Sequence, residues 1–288
     1  MDLFAAALSL VTAMIWGFVT QLQRRGLNFV DGRTGALIVV LSFAGLFWIM
    51  APFLIEWHWF THPSMWIFAI SGVFVPGLAQ QFTMMSIEKI GPTVTSVVAA
   101  FVPIFAVAPA ILFLGENINF QAAIGIGLIV LGVVLAVRAK SQNVGSFPII
   151  LVWLAFAAAA SRGFGQPISK LGLQDLPEPF FGTLVMVSAS AIFIGGAQAI
   201  RDRQSIQFRY SVNLLWLVAA GSLLGIGFLL LYLALNMGGV VVVAPFIATM
   251  PIWVIFFDHL FFKHERIGLQ HICAAIVVTV GSMILILR

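Results

Sequence analysis

The sequence is a succession of apolar runs, each about as long as a bilayer is thick, separated by short polar connections. A helix rises 1.5 Å per residue, so about 20 apolar residues cross the roughly 30 Å of hydrocarbon. Such runs lie near 3–22, 34–55, 65–86, 92–114, 119–138, 148–171, 178–199, 212–235, 240–262 and 268–287. The connections carry turn chemistry, as in Gly91-Pro92, Gly115-Glu116-Asn117, Leu176-Pro177-Glu178-Pro179 and Gly238-Gly239. None is long enough to separate soluble domains. Only 8% of the 288 residues are charged, against roughly 25% in a soluble domain. With 61% apolar residues and a mean hydropathy of +1.11, most of the surface must have lipid as its solvent. The expected fold class is an all-α integral membrane protein with ten transmembrane helices.

Charge sets the expected orientation. Lys170 and Arg288 lie on the side that holds the termini and the connections after the even-numbered spans. Arg24, Arg25, Arg33, Lys89, Arg138, Lys140, Arg201, Arg203, Arg209, Lys263 and Arg266 lie on the other. Cytoplasmic loops carry the excess of Lys and Arg, so the second side is read as cytoplasmic and both termini as outside the cytoplasm, in a bacterial inner membrane. Glu56-Trp57-His58-Trp59-Phe60 then forms part of an aromatic belt at the outer leaflet. The net charge of +4 does not indicate nucleic acid, because the basic residues cap apolar runs and form no patch with aromatic readers. Only Met1 and Asp2 precede the first apolar run, so no basic n-region and no cleavable signal peptide is expected. The single cysteine, Cys273, excludes an intrachain disulfide and a multi-cysteine metal site.

Residues about 148 positions apart resemble one another. Gly91 pairs with Gly239 and Pro103-Ile104 with Pro251-Ile252; after a one-residue slip, Glu116 pairs with Glu265, Gln121 with Gln270 and Gly132 with Gly281. Pro, Glu and Gln recurring in one frame point to a duplication, with repeats over 1–140 and 146–288. Five spans in each half is an odd number, so the second half enters the membrane from the opposite side. This predicts an inverted-topology pair of five-helix repeats with a site near the midplane between them.

The same residues carry a family resemblance. Trp16-Gly17 in the first span, Pro103 and Pro251 within the fourth and ninth, and Phe113-Leu114-Gly115-Glu116 and Phe262-Lys263-His264-Glu265 before Gly-rich helices are its features. In these the chain resembles EamA-like transporters of the drug/metabolite transporter superfamily. The resemblance implies a ten-helix fold around a central cavity and the export or exchange of amino acids or other small metabolites. The sixth span departs from the pattern: Ser161-Arg162-Gly163-Phe164-Gly165-Gln166 stands where the first half has Ala13-Met14-Ile15-Trp16-Gly17-Phe18. Many members also keep both termini in the cytoplasm, which the charge distribution here opposes.

Arg162 near mid-depth is the outlier, since an arginine at a helix centre costs at least about 2.5–3.5 kcal/mol to insert. Gln166 and Ser169 share its face at i+4 and i+7. Thr12, Trp16 and Thr20 in the first span, Gln80 and Thr83 in the third, and Tyr232 and Asn236 in the eighth are further polar positions. Together they suggest a shared substrate cavity, against the plainer reading of interhelical hydrogen bonds. Pro103, Pro109, Pro245 and Pro251 break the helical ladder, and the repeated pair Pro103 and Pro251 are the candidate hinges. Gly125, Gly127 and Gly132 with Ala274, Ala275 and Gly281 are read as close helix contacts, and Asp258-His259 as an interfacial pair. No metal site, cofactor, nucleophile set or phosphate loop emerges, so no enzymatic activity is expected. The expected function is secondary transport or export of small metabolites, amino acids or organic anions, by alternating access. The competing reading is a non-transporting membrane scaffold or sensor subunit. The expected partners are a small-molecule solute and the lipid bilayer, with no nucleic acid and with a homodimer left open.

Overall fold

The computed structural model describes residues 2–99, 101–102, 104–105, 149–201, 214–237, 246–247, 249–262 and 268–286, and scattered positions between 121 and 135. Among the described residues the chain is helical and no strand occurs. The segments are α1 (Asp2–Gly26), α2 (Gly32–Leu54), α3 (Ser64–Gly72), α4 (Ala79–Ile90), α5 (Pro92–Ala99), α6 (Val152–Asp175), α7 (Pro179–Arg201), α8 (Leu215–Met237), α9 (Met250–Phe257) and α10 (Leu269–Ile286). Five stretches are long and apolar enough to cross a membrane: Leu3–Gly26, Gly32–Leu54, Ser64–Ile90, Pro179–Ile200 and Leu215–Met237. Met250–Phe262 and Ile272–Gly281 are shorter apolar helices. The protein is therefore a multi-pass membrane protein. At 24 residues α6 also has spanning length, but Arg162 and Lys170 dilute its apolar character.

Local chemistry sets the ends. Asp31 caps α2, its extended backbone letting the carboxylate accept from Arg33 N at 3.2 Å. Gly91 ends α4 at φ 82°, a conformation that favours glycine. Glu88 Oε2 accepts from Gly32 N at 2.8 Å, and Arg24 donates to the last carbonyls of α4, Ile87 O and Glu88 O, at 3.2 and 3.3 Å. These bonds tie the adjoining ends of α1, α2 and α4 together. At the other end Ser64 donates to Asp175, joining α3 to the end of α6.

The third span is interrupted. Val73–Leu78 forms a wide π-type turn in which Val75 is extended, at φ −135° and ψ 117°. Pro76 has no N–H, so Gly72 O loses its helical donor. The Ser190 hydroxyl of α7 lies 2.6 Å from Gly72 O and 2.8 Å from Met186 O, sharing its one proton between them. The Pro76-Gly77 pair lies within the span read near 65–86, which the structure gives as one apolar stretch, Ser64–Ile90, with this interruption inside it.

Two further interruptions match across the repeat. Phe101 N donates to Val98 O and Ile104 N to Phe101 O; Thr249 N donates to Phe246 O and Ile252 N to Thr249 O. Each pair is related by the same 148-residue offset, and each turn falls two positions before Pro103 or Pro251. Pro103 itself, Pro109 and Pro245 lie outside the described residues, as do Glu116 and Glu265. Pro251 sits in the first turn of α9, where its missing N–H breaks no bond of that helix. It marks the restart of the helix after the turn at Thr249.

The halves interlock through small residues. A Cβ on Gly17 of α1 would meet Trp253 Cβ of α9, and one on Gly163 of α6 would meet Phe105 Cβ, with Phe105 and Trp253 again 148 positions apart. Gly132 lies against Ala274 and Val278 of α10, and Gly281 against Gly125 and Leu128, while Gly127 faces open space. The main core joins α1, α2, α3, α7 and α8 through Phe43, Phe47, Phe68, Phe181 and Phe228. The Trp57–Thr61 turn docks on it through Trp59 and Phe60 against Phe181, with ring centroids 5.8 and 5.1 Å apart, and Trp57 stays 60% exposed. Asp258 and His259 do not form the expected interfacial pair. Asp258 is fully buried in a π-type turn over Asp258–Phe262, and His259 points outward.

Gly221 of α8 lies against the Val39 carbonyl of α2, with no room for a Cβ, whereas Gly45 has open space around it. Gly221→Ala should lower stability by about 1–3 kcal/mol through overpacking. Gly45→Ala should be neutral or slightly stabilising. Thermal unfolding in detergent checks this, and equal melting of the two variants would contradict the packing described.

Candidate functional site

Helices α1, α4, α5, α6 and α9 surround a small, partly open cleft with room for about one water molecule. Its wall is Thr20 of α1, Thr83 of α4, Thr95, Ser96 and Ala99 of α5, Ala155, Ala158 and Arg162 of α6, and Met250 of α9. Ala99 ends the helix before the break near Pro103, and Met250 starts the helix after the break near Pro251. Irregular backbone at membrane depth is tolerated where protein buries it or a cavity borders it.

Arg162 is half-buried, and its one hydrogen bond among the described residues goes from Nη2 to Thr83 Oγ1 at 3.1 Å. The cleft hydroxyls spend their protons on helix carbonyls. Thr20 donates to Trp16 O at 2.7 Å, Thr83 to Ala79 O at 2.7 Å, Thr95 to Gly91 O at 2.7 Å and Ser96 to Thr93 O at 2.8 Å. A hydroxyl has one proton, so none of the four has a donor left over; Thr83 Oγ1 accepts from Arg162 and Thr95 Oγ1 from Ser86 at 2.7 Å, and Arg162 supplies the N–H groups.

The structure thus brings together Thr20, Thr83 and Arg162 from the sequence candidates. Gln80 lies one turn from Thr83 on the same face of α4, is 2% exposed, and its Nε2 has no hydrogen-bond partner. Gln166 is half-buried one turn along α6 from Arg162 and does not line the cleft. Trp16 is 7% exposed; its ring packs on Phe228 at 5.0 Å and beside Gly227 of α8, with Nε1 unpartnered. Tyr232 belongs to a separate buried cluster. Its hydroxyl reaches Met186 Sδ at 3.1 Å, near the contact between Ser71 and Ser169 that joins α3 to α6. Ser169 therefore serves that junction and not the cleft. Asn236 is exposed at the end of α8 and is not brought to the cleft.

Thr95, Ser96 and Met250 are cleft residues that the sequence reading omitted. The polar run Thr93, Thr95, Ser96 at the start of an apolar span carried a signal for the first two. A methionine in an apolar run carries none. Gln21 was also missed: fully buried on α1, it donates Nε2 to Val254 O of α9 at 2.9 Å, just before the π-type turn. Among the described residues no cluster of His, Cys, Asp and Glu could hold a metal ion.

A family model described as the EamA-like transporter family matches residues 3–138 and again residues 149–287. Comparison with curated proteins gives no match. Among solved structures, one titled only "Crystal structure of protein" superposes with a TM-score of 0.68 at 15% identity, covering 97% of this chain and 94% of that one. At that identity the likeness establishes the fold alone.

Water access to the cleft is measurable with thiol chemistry. In a Cys273→Ser background, needed because Cys273 is exposed, Ala158→Cys should react with a small methanethiosulfonate several-fold faster than Val97→Cys, which is fully buried outside the cleft. Equal rates would show that the cleft is dry.

Proposed function

This chain belongs to the EamA-like transporter family, and from that premise we propose that it is a secondary transporter of small metabolites working by alternating access. The observation that carries the reading is the cleft bordered by two broken helices, one from each matched segment, with their interruptions related by the 148-residue repeat. Transporters of repeated architecture bind solute between their repeats, at discontinuous helices, and rock the repeats about that site. Here the repeats are taken as 1–140 and 146–288, in inverted topology, with ten spans in all. The polar wall suits a small polar solute such as an amino acid or an organic anion, admitted when the cleft widens beyond the room for about one water that this conformation leaves, and outward movement, export, is the direction proposed. Thr20, Thr83 and Arg162 contact the solute, with Gln80 next in depth; Trp16, Gln166, Tyr232 and Asn236 stand further off. No chemical step is assigned to the chain.

The breaks at Phe101 and Thr249 give each helix a place to flex without tearing lipid-facing hydrogen bonds. Pro103→Ala and Pro251→Ala restore an N–H and favour continuous helices. Each should slow counterflow in proteoliposomes by about tenfold, or ~1.4 kcal/mol of barrier, while folded protein is recovered in normal amount. Normal rates in both variants would remove the hinge from the mechanism.

Orientation is proposed from charge. Arg24, Arg25, Arg33 and Lys89 gather at one end of the first three spans, where Arg25 also lies 4.5 Å over the Trp216 ring. By the positive-inside rule this end is cytoplasmic, which puts both termini outside the cytoplasm of a bacterial inner membrane. A reporter active only in the cytoplasm, fused after Arg288, should be silent; activity there reverses the orientation.

A further inference from the structure

We infer that the cleft is an oxyanion site in which the Arg162 guanidinium holds the carboxylate of a small solute; this deepens the transport reading and rests on it. Arg162 projects from the middle of α6 into the cleft, and Thr83 takes one of its N–H groups. A guanidinium has five N–H donors and keeps its charge. No ion pair to Arg162 occurs among the described residues. Asp258, the buried acid just after α9, lies one turn beyond Val254 in a π-type turn and has a partner of its own. Among the described residues the cation has no counter-charge, and an anion in the cleft would supply one.

Thr20, Thr83, Thr95 and Ser96 each donate to a carbonyl of their own helix, so the N–H groups of Arg162 are the donors this wall offers an anion. Met250, the first residue of α9, borders the cleft, so the positive end of that helix's dipole adds to the guanidinium field. Gln80 lies one turn from Thr83, buried and without a partner for Nε2, just outside the wall of the cleft. The planar fork of arginine matches a carboxylate in bidentate fashion, which an ammonium does not. A cationic solute is excluded by the same field, and an uncharged one leaves the fork unmatched.

The test uses the purified full chain in detergent, read by ligand-induced thermal stabilisation. The probes are a panel of carboxylates of two to six carbons, the uncharged amide of each, inorganic phosphate, and choline. At least one carboxylate should stabilise the wild type while its amide and choline do not. Arg162→Gln should weaken that carboxylate by about 10- to 100-fold, the loss expected for hydrogen bonds to a charged group, and erase its preference over the amide. Arg162→Lys should retain charge preference at reduced affinity. Circular dichroism and melting of unliganded Arg162→Gln should match or exceed wild type, which separates lost binding from lost fold. Equal stabilisation by acid and amide, preference for phosphate or choline, no response to any carboxylate, or an unchanged affinity in Arg162→Gln each overturns the inference. Counterflow of the same solutes in proteoliposomes separates this from the transport reading. A carboxylate that binds and never crosses refutes transport alone; a neutral solute that crosses equally in wild type and Arg162→Gln refutes the anion site alone.

Discussion

Backbone hydrogen bonding without water governs this molecule. In hydrocarbon each unpaired N–H or C=O costs several kcal/mol, so a spanning chain must be helical, and each departure from helix needs a local remedy. Pro76 removes the ordinary helical donor for Gly72 O, and the chain answers with a wide turn and with the hydroxyl of Ser190 of α7, shared with Met186 O. Val254 O, one turn before the wide turn in the second half, accepts from Asp258 N and also from Gln21 of α1. The last carbonyls of α4 are met by Arg24. Where the chain breaks in α5 and before α9, the cleft adjoins the break. The polar side chains of this apolar protein thus divide into those that mend the backbone and those left over to meet a solute.

That division explains what could be read from sequence. Lipid imposes length and apolarity on each span, so the all-helical membrane class and the family followed from runs, spacing and the repeated Pro, Glu and Gln. The interruption at Val73–Leu78 hid inside one apolar run because a Pro-Gly pair in a span is compatible with a kink, a cap or a break. Telling these apart requires knowing whether a neighbour such as Ser190 is in place.

The site was legible only in part for the same reason. Arg162 stood out because its insertion cost is high in any arrangement. Thr20 and Thr83 were visible as hydroxyls at helical spacing, but so were Thr12 and Ser169, which bond to Leu8 O and to the Ser71 junction. Tyr232 and Arg162 look alike as polar residues in apolar runs, yet one closes a junction of α3, α6 and α7 while the other borders the cleft. Helical periodicity tells which residues share a face; it does not tell which neighbouring helix covers it.

The pairing of α1 with α8 also bears on how the chain is made. α1 packs more extensively on α8 than on any other segment, with Trp16 against Gly227 and Phe228, and Arg25 over Trp216. Roughly 190 residues separate the end of α1 from the start of α8. At about 5–20 residues per second, the ribosome needs ~10–40 s to deliver that partner. Through this interval α1 resides in the bilayer with its indole and its basic end uncovered by the helix that will shield them. Newly inserted protein therefore passes through a stage in which the N-terminal segment is open to membrane chaperones and to quality-control proteases, and translation speed through the second half sets how long that exposure lasts.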